Sequence, residues 1–159
     1  MNGVKLVIGL GHPDPEYALT YHNVGHLFVE ALIAAHPKSD LKMLTTDAYM
    51  NESGACVAQA LKKYKLKPAD LLVVQDDSDI PIGSYKLSFA RNAGGHRGVQ
   101  NVIDHLRTNG FWRLRVGIRP LLEKRRQKAE DLVLKKISAL DRKKIDVVFA
   151  EVISKVSSG

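Results

Sequence analysis

A chain of 159 residues fits one domain, and with 45% of them apolar or aromatic it has material for a real core. No run approaches the roughly 18–20 apolar residues of a membrane helix, no charged segment followed by an apolar one marks a signal peptide, and the single cysteine, Cys56, excludes an intrachain disulfide and fits a reducing, cytoplasmic setting. The net charge of +7 favours a polyanionic partner, nucleic acid before anionic membrane, and the basic residues crowd the second half in Arg91, Arg97, Arg107, Arg113, Arg115, Arg119 and the Lys124–Lys128 cluster.

Val4–Leu10 is a β-rich apolar run that ends at Gly9-Leu10-Gly11, which predicts a buried first strand entering a loop. Two prolines hold His12-Pro13-Asp14-Pro15 out of a helix. Val24, Leu27, Phe28, Ala31, Leu32 and Ala35 then repeat at helical spacing, with Asn23 as the expected N-cap and Pro37 as the stop. Residues 38–48 are polar and show no pattern. A second helix is expected from near Glu52 to Tyr64, with Val57, Ala60, Leu61 and Tyr64 facing inward; Cys56, among small apolar neighbours, reads as a buried packing residue.

Leu71–Val74 is an unbroken apolar run, as inner strands are. Tyr85, Leu87 and Phe89 alternate with Lys86 and Ser88 and predict a strand with one polar face. Gly94-Gly95 breaks the chain before a third amphipathic helix on Val99, Val102, Ile103 and Leu106. Trp112, Leu114, Val116 and Ile118 form another strand, whose opposite face carries Arg113 and Arg115. Two C-terminal helices follow, the last with Ile145, Val148, Phe149, Val152 and Ile153 in helical period. The order β-α-α-β-β-α-β-α-α predicts a single α/β domain over residues 1–159, a mixed β-sheet flanked by helices.

Five places carry side chains fit for chemistry. Gly9-Leu10-Gly11 lacks the third glycine of a dinucleotide loop: Asp14 stands there, and its charge would repel a pyrophosphate. His22 precedes the first helix, outside its apolar face. Asp76-Asp77-Ser78-Asp79 follows the Leu71–Val74 strand, where α/β folds place ligands. Its carboxylates fit a hard metal, a solvated turn, or a hydrogen-bond partner for a histidine, and spacing does not choose among these. Residues 49–54 and 94–98 are loop-to-helix junctions that offer free N–H groups.

In order along the chain, Gly-Leu-Gly-x-Pro, Tyr17, His22-Asn23-Val24-Gly25, Tyr49-Met50-Asn51-x-Ser53-Gly54, Asp76-Asp77-x-Asp79-x-Pro81-x-Gly83, Gly94-Gly95-His96-x-Gly98 and Arg113-Leu114-Arg115-Val116-Gly117-Ile118-x-Pro120 resemble the bacterial-type peptidyl-tRNA hydrolase family. The resemblance implies that family's fold. It also implies its reaction: hydrolysis of the ester between peptide and tRNA, on a tRNA partner and without metal or cofactor, by a protein expected to act as a monomer away from membranes. By resemblance His22 is the general base and Asp76 its carboxylate partner. Asn51 positions substrate and water, and Tyr17, His12, His96 and Arg97 line the substrate cleft. Unperturbed histidine titrates at a pKa of about 6.5, which suits removal of a proton from water near neutrality.

The chain also departs from the family. His12 and Arg97 stand where the family has asparagines, and both still donate hydrogen bonds. Arg115 matches one of two basic residues that clamp the tRNA 5′ phosphate; the other falls at Ser88, with Lys86 or Arg91 as substitutes. The segment between Pro37 and Tyr49 is short, which implies a smaller sheet. A family relative that binds tRNA without turnover is the alternative, and an unrelated small-molecule esterase a further one.

Overall fold

The computed structural model describes residues 3–121 and 129–157; the Lys124–Lys128 cluster lies outside them. The elements are β1 (Leu6–Gly9), α1 (Val24–Ala35), β2 (Lys42–Thr45), α2 (Ser53–Tyr64), β3 (Leu71–Pro81), β4 (Tyr85–Phe89), α3 (Arg97–Leu106), β5 (Trp112–Arg119), α4 (Ala129–Val133) and α5 (Ala139–Ser157). They build a mixed five-stranded sheet in the order β2-β1-β3-β5-β4, parallel except for the β4–β5 pair.

Strands β1 and β3 lie inside the sheet and are covered on both sides, which is why both read as continuous apolar runs. Val7, Leu72, Val74, Leu114 and Val116 pack against Leu27 and Phe28 of α1 and Ile145 and Phe149 of α5. On the opposite face, Leu6, Ile8, Leu71 and Val73 meet Val57 and Leu61 of α2 and Val99 and Val102 of α3. The chain leaves β1 toward β2 and leaves β3 toward the other edge. The carboxyl ends of β1 and β3 therefore flank the switch point where open α/β sheets bind ligands.

Three expectations are corrected, and one of the readings left open for the acidic stretch is decided. Residues 38–48 contain β2, an edge strand whose residues are no more than half-buried, so no apolar alternation marks it. The acidic stretch after Val74 is not a turn: β3 runs on to Pro81, with Asp76 and Asp77 opposite Val116 and Gly117 and a bulge between Asp77 and Pro81. Gly117 permits that bulge, because a Cβ there would lie 2.1 Å from the Pro81 carbonyl oxygen. Asn23 makes no side-chain cap on α1. Cys56 is half-buried rather than buried. Among the described residues no helix is long and apolar enough to cross a membrane.

Candidate active site

Helix α1 begins under the ends of β1 and β3 because two glycines allow it. A Cβ on Gly25 would sit 2.4 Å from the Val74 carbonyl oxygen, and one on Gly9 would sit 2.1 Å from the Gly25 carbonyl oxygen. A single 3-10 turn, Tyr21–Asn23, precedes this contact and carries His22. Its Tyr21 is buried and anchors the turn: the hydroxyl donates to Asp141 Oδ2 at 2.6 Å, and its backbone N–H donates to the Lys135 carbonyl at 3.1 Å.

Asp76, at the end of the apolar part of β3, is 3% exposed. His22 Nδ1 lies 2.9 Å from both of its carboxylate oxygens, and His96 Nε2 lies 2.9 Å from Oδ1. The two imidazoles are oriented by different means. His96 caps α3: its Nδ1 accepts the Val99 N–H at 3.2 Å, so its proton sits on Nε2 and is donated to Asp76. An acceptor-only carboxylate facing His22 Nδ1 likewise puts the proton there, leaving Nε2 of His22 as a free acceptor.

Burial alone would push the Asp76 carboxyl up, but His22 and His96, through charge and hydrogen bonds, hold it well below the usual carboxylate range. Burial likewise works to lower the His22 pKa, and the charge and hydrogen bond of Asp76 outweigh it, so the net shift is upward. The ligand-type atoms of His22, Asp76 and His96 lie within 4.8 Å of one another, a set that zinc could use. Both histidine nitrogens are already spent on Asp76 at hydrogen-bond distance, an arrangement that serves proton transfer as it stands.

The group opens on a cleft of about 720 Å³. Of the residues singled out in the sequence, His12, His22, Asn51, Asp76, His96 and Arg97 line it. Asn51 projects from the 3-10 turn before α2, exposed, with its amide unbonded among the described residues. Tyr17 is not a lining residue; it packs on the His12 ring, centroids 4.4 Å apart. Asn23, expected as a cap, instead holds the His12 backbone: its Oδ1 accepts the His12 N–H at 2.6 Å and its Nδ2 donates to the His12 carbonyl at 2.9 Å. The wall formed by Glu130, Val133 and Leu134 of the α4 segment has no sequence signal beyond a weak family likeness of residues 131–136. Only tertiary packing brings it there, through the Tyr21 anchors.

The basic residues divide. Lys86, Arg91 and Arg97 are exposed, and Arg97 pairs with an equally exposed Glu130 at 3.5 Å. Arg113 and Arg115 occupy the sheet face beneath the loop after β4, 2% and 8% exposed. Arg115 donates from Nε to Asp77 Oδ2 at 2.9 Å and from Nη1 to Ser88 Oγ at 3.3 Å. It does not stand free on an open face, and Ser88 holds it from the side. Arg113 donates to the Asn92 carbonyl at 2.7 Å; its burial first, then the nearby charges of Arg115 and Arg91, lower its pKa to about 10.

Comparison with known proteins identifies the family. The sequence pattern of the family described as peptidyl-tRNA hydrolase matches residues 6–158. A peptidyl-tRNA hydrolase of Leifsonia xyli subsp. xyli is 39% identical, over 95% of this chain and 88% of that protein. One from Coxiella burnetii is 40% identical, over 73% of this chain and 70% of its own length. The crystal structure of peptidyl-tRNA hydrolase from Acinetobacter baumannii superposes with a TM-score of 0.86 at 31% identity, covering 99% of this chain and 88% of that one. With the sheet order, the histidine–carboxylate pair at its switch point and these matches in agreement, the chain belongs to the peptidyl-tRNA hydrolase family.

Proposed function

We propose that the protein hydrolyses the ester that joins a peptide to the 3′ end of tRNA, with His22 as general base and Asp76 as its partner. The observation that carries this reading is the His22–Asp76 hydrogen bond at 2.9 Å, which leaves Nε2 of His22 free in a cleft wide enough for an acyl-nucleotide end. Water gives a proton to Nε2 as its oxygen attacks the acyl carbon. The carbonyl electrons move onto oxygen, and the amide of Asn51, which lines the same cleft, is a fitting donor for that oxyanion. When the intermediate collapses, the bond to the ribose oxygen breaks and the imidazolium returns the proton to that oxygen. Asp76 stays ionised throughout; it stabilises the imidazolium and keeps the ring in one tautomer.

Arg97, Arg91 and Lys86 are the phosphate contacts in this reading, since they are exposed while Arg115 is engaged with Asp77. The protein acts as a cytoplasmic monomer on its tRNA substrate. No observation favours a binding-only role. The test is hydrolysis of an N-acetyl-aminoacyl-tRNA by the purified protein with a chelator present. Wild type releases the N-acetyl amino acid. His22→Ala loses at least about 10²-fold in rate, the usual contribution of a positioned base, while still retarding tRNA in a gel. A His22→Ala enzyme with more than about a tenth of wild-type activity removes His22 from this role.

A further inference from the structure

The carboxyl end of α2 reads Lys62-Lys63-Tyr64-Lys65-Leu66-Lys67, four cations in six residues that the cleft does not use. Lys62 and Lys63 sit in the last turn of the helix, where a cation offsets the helix dipole. That role does not extend to the other two. Lys65 follows the helix in the left-handed conformation, φ 55°, which glycine adopts without steric cost, and Lys67 lies beyond it.

The fold brings two more lysines to the same place. The Lys42 N–H, at the start of β2, donates to the Lys5 carbonyl at 3.1 Å, and the Lys5 N–H donates to the carbonyl of Asp70, close after Lys67, at 2.8 Å. Tyr64 gathers the side chains: the Lys42 ammonium lies 5.6 Å and the Lys63 ammonium 5.4 Å from its ring centroid. All six lysines are exposed. Asp70 is already engaged, one oxygen accepting the Lys67 N–H at 2.9 Å and the other standing 3.8 Å from Lys5 Nζ. Among the described residues, Lys42, Lys62, Lys63, Lys65 and Lys67 make no ion pair.

This surface is separate from the cleft. Met50 and Asn51 line the cleft just before α2, and the 12 residues of the helix carry the chain about 18 Å away to the lysines. β2 and β4 are opposite edges of the sheet, about 19 Å apart across the intervening strands, so Lys42 and Lys86 belong to different sides of the molecule. None of the large exposed apolar side chains among the described residues falls in 38–48 or 60–70. The surface therefore offers charge without the apolar groups that anchor a protein in a bilayer. Ammoniums are point charges suited to phosphates, and several of them together suit a chain of phosphates. Resting on the function proposed above for the choice of polyanion, we propose that these lysines, gathered by Tyr64, form a second RNA contact. It holds the phosphate backbone of an RNA segment other than the acceptor end in the cleft.

The test is binding of labelled oligouridylate to the whole protein, read as Kd across a salt titration. The variants are Lys62→Ala with Lys63→Ala and Lys65→Ala, the same three positions changed to Arg, and Arg97→Ala, each checked for folding by thermal melting. Wild type binds at low salt. The alanine triple weakens binding at least about tenfold and flattens the slope of log affinity against log salt by about 2, from three contacts of about 0.7 each on a single strand. The arginine triple and Arg97→Ala stay near wild type. Deacylated tRNA and its acceptor-stem minihelix then identify the RNA. In the alanine triple, a fall for whole tRNA but not for the minihelix assigns the contact to a distal part of the same tRNA, and a fall for oligouridylate alone assigns it to a separate RNA. A fall for the minihelix, no binding of oligouridylate, an unchanged slope in the alanine triple, or an equal loss in Arg97→Ala overturns the inference. So does a triple variant that loses phosphatidylserine vesicles and keeps RNA, which makes the partner a membrane. A wild type that fails to hydrolyse N-acetyl-aminoacyl-tRNA overturns the proposed function instead, while oligouridylate binding still reports on the lysines.

Discussion

A carboxyl group buried as completely as Asp76 would ordinarily be driven to its neutral form. Here two imidazoles donate to it, one oriented by the start of α3 and one carried into α1, and it remains the anion. The same anion raises the His22 pKa against the opposing effect of burial. Because the base must be neutral to accept a proton, kcat/KM falls as pH drops through that raised pKa. Asp76→Asn removes the charge that raises it. The acid limb of the pH profile then moves to lower pH, and the plateau falls because an amide no longer stabilises the imidazolium. Kinetics between about pH 5 and 8, the range spanning the histidine reference value, check both changes. An unmoved acid limb in Asp76→Asn assigns the titration to a group other than His22.

At the scale of elements, β3 decides more than any helix. Its first half is buried as an inner strand must be, and its second half continues through the acids because β5 pairs Val116 and Gly117 with Asp76 and Asp77 and, past the bulge, Arg119 with Pro81. Asp77 points toward the face that holds Arg115 and Arg113. It is the carboxylate that neutralises Arg115, and its Oδ1 also accepts the Asp79 N–H at 2.8 Å within the bulge. Removing one partner of a largely buried pair leaves an uncompensated charge, a change that costs about 3–5 kcal/mol. Asp77→Ala is therefore expected to lower unfolding stability by about that amount, read as a fall in the urea midpoint. A loss below about 0.5 kcal/mol, within the range of ordinary surface changes, shows that Arg115 does not depend on Asp77.

Across the whole molecule, the net charge of +7 is distributed by topology. The β4–β5 pair and the loop after β4 bury Arg113 and Arg115, whereas Lys86, Arg91 and Arg97 stay exposed. Each exposed cation that neutralises a phosphate adds about 0.7–0.9 to the slope of log affinity against log salt. Binding of tRNA to inactive His22→Ala should weaken steeply as salt rises. Adding Arg97→Ala should flatten the slope by about one such increment, as a salt titration of Kd would show. An unchanged slope places Arg97 away from the phosphates.

Much of this architecture is readable from residue order. β1, β3 and the helices α1, α2, α3 and α5 announce themselves by local apolar period, since burial on one or both faces leaves that trace. The spaced motifs point to His22, Asp76, Asn51 and His96 only taken together, through their resemblance to the peptidyl-tRNA hydrolase family, since each residue type alone fits a helix cap or a turn. β2 escapes because an edge strand of four residues buries too little to show a pattern. The strand continuation through the acids escapes because pairing with β5 overrides local polarity, and the helix-start position of Asn23 gives no hint of its His12 contacts. Which acid meets a histidine, which arginines are buried, and that the Glu130–Leu134 segment forms a wall of the cleft are long-range facts. They depend on contacts between residues tens of positions apart, which the tertiary structure alone brings together.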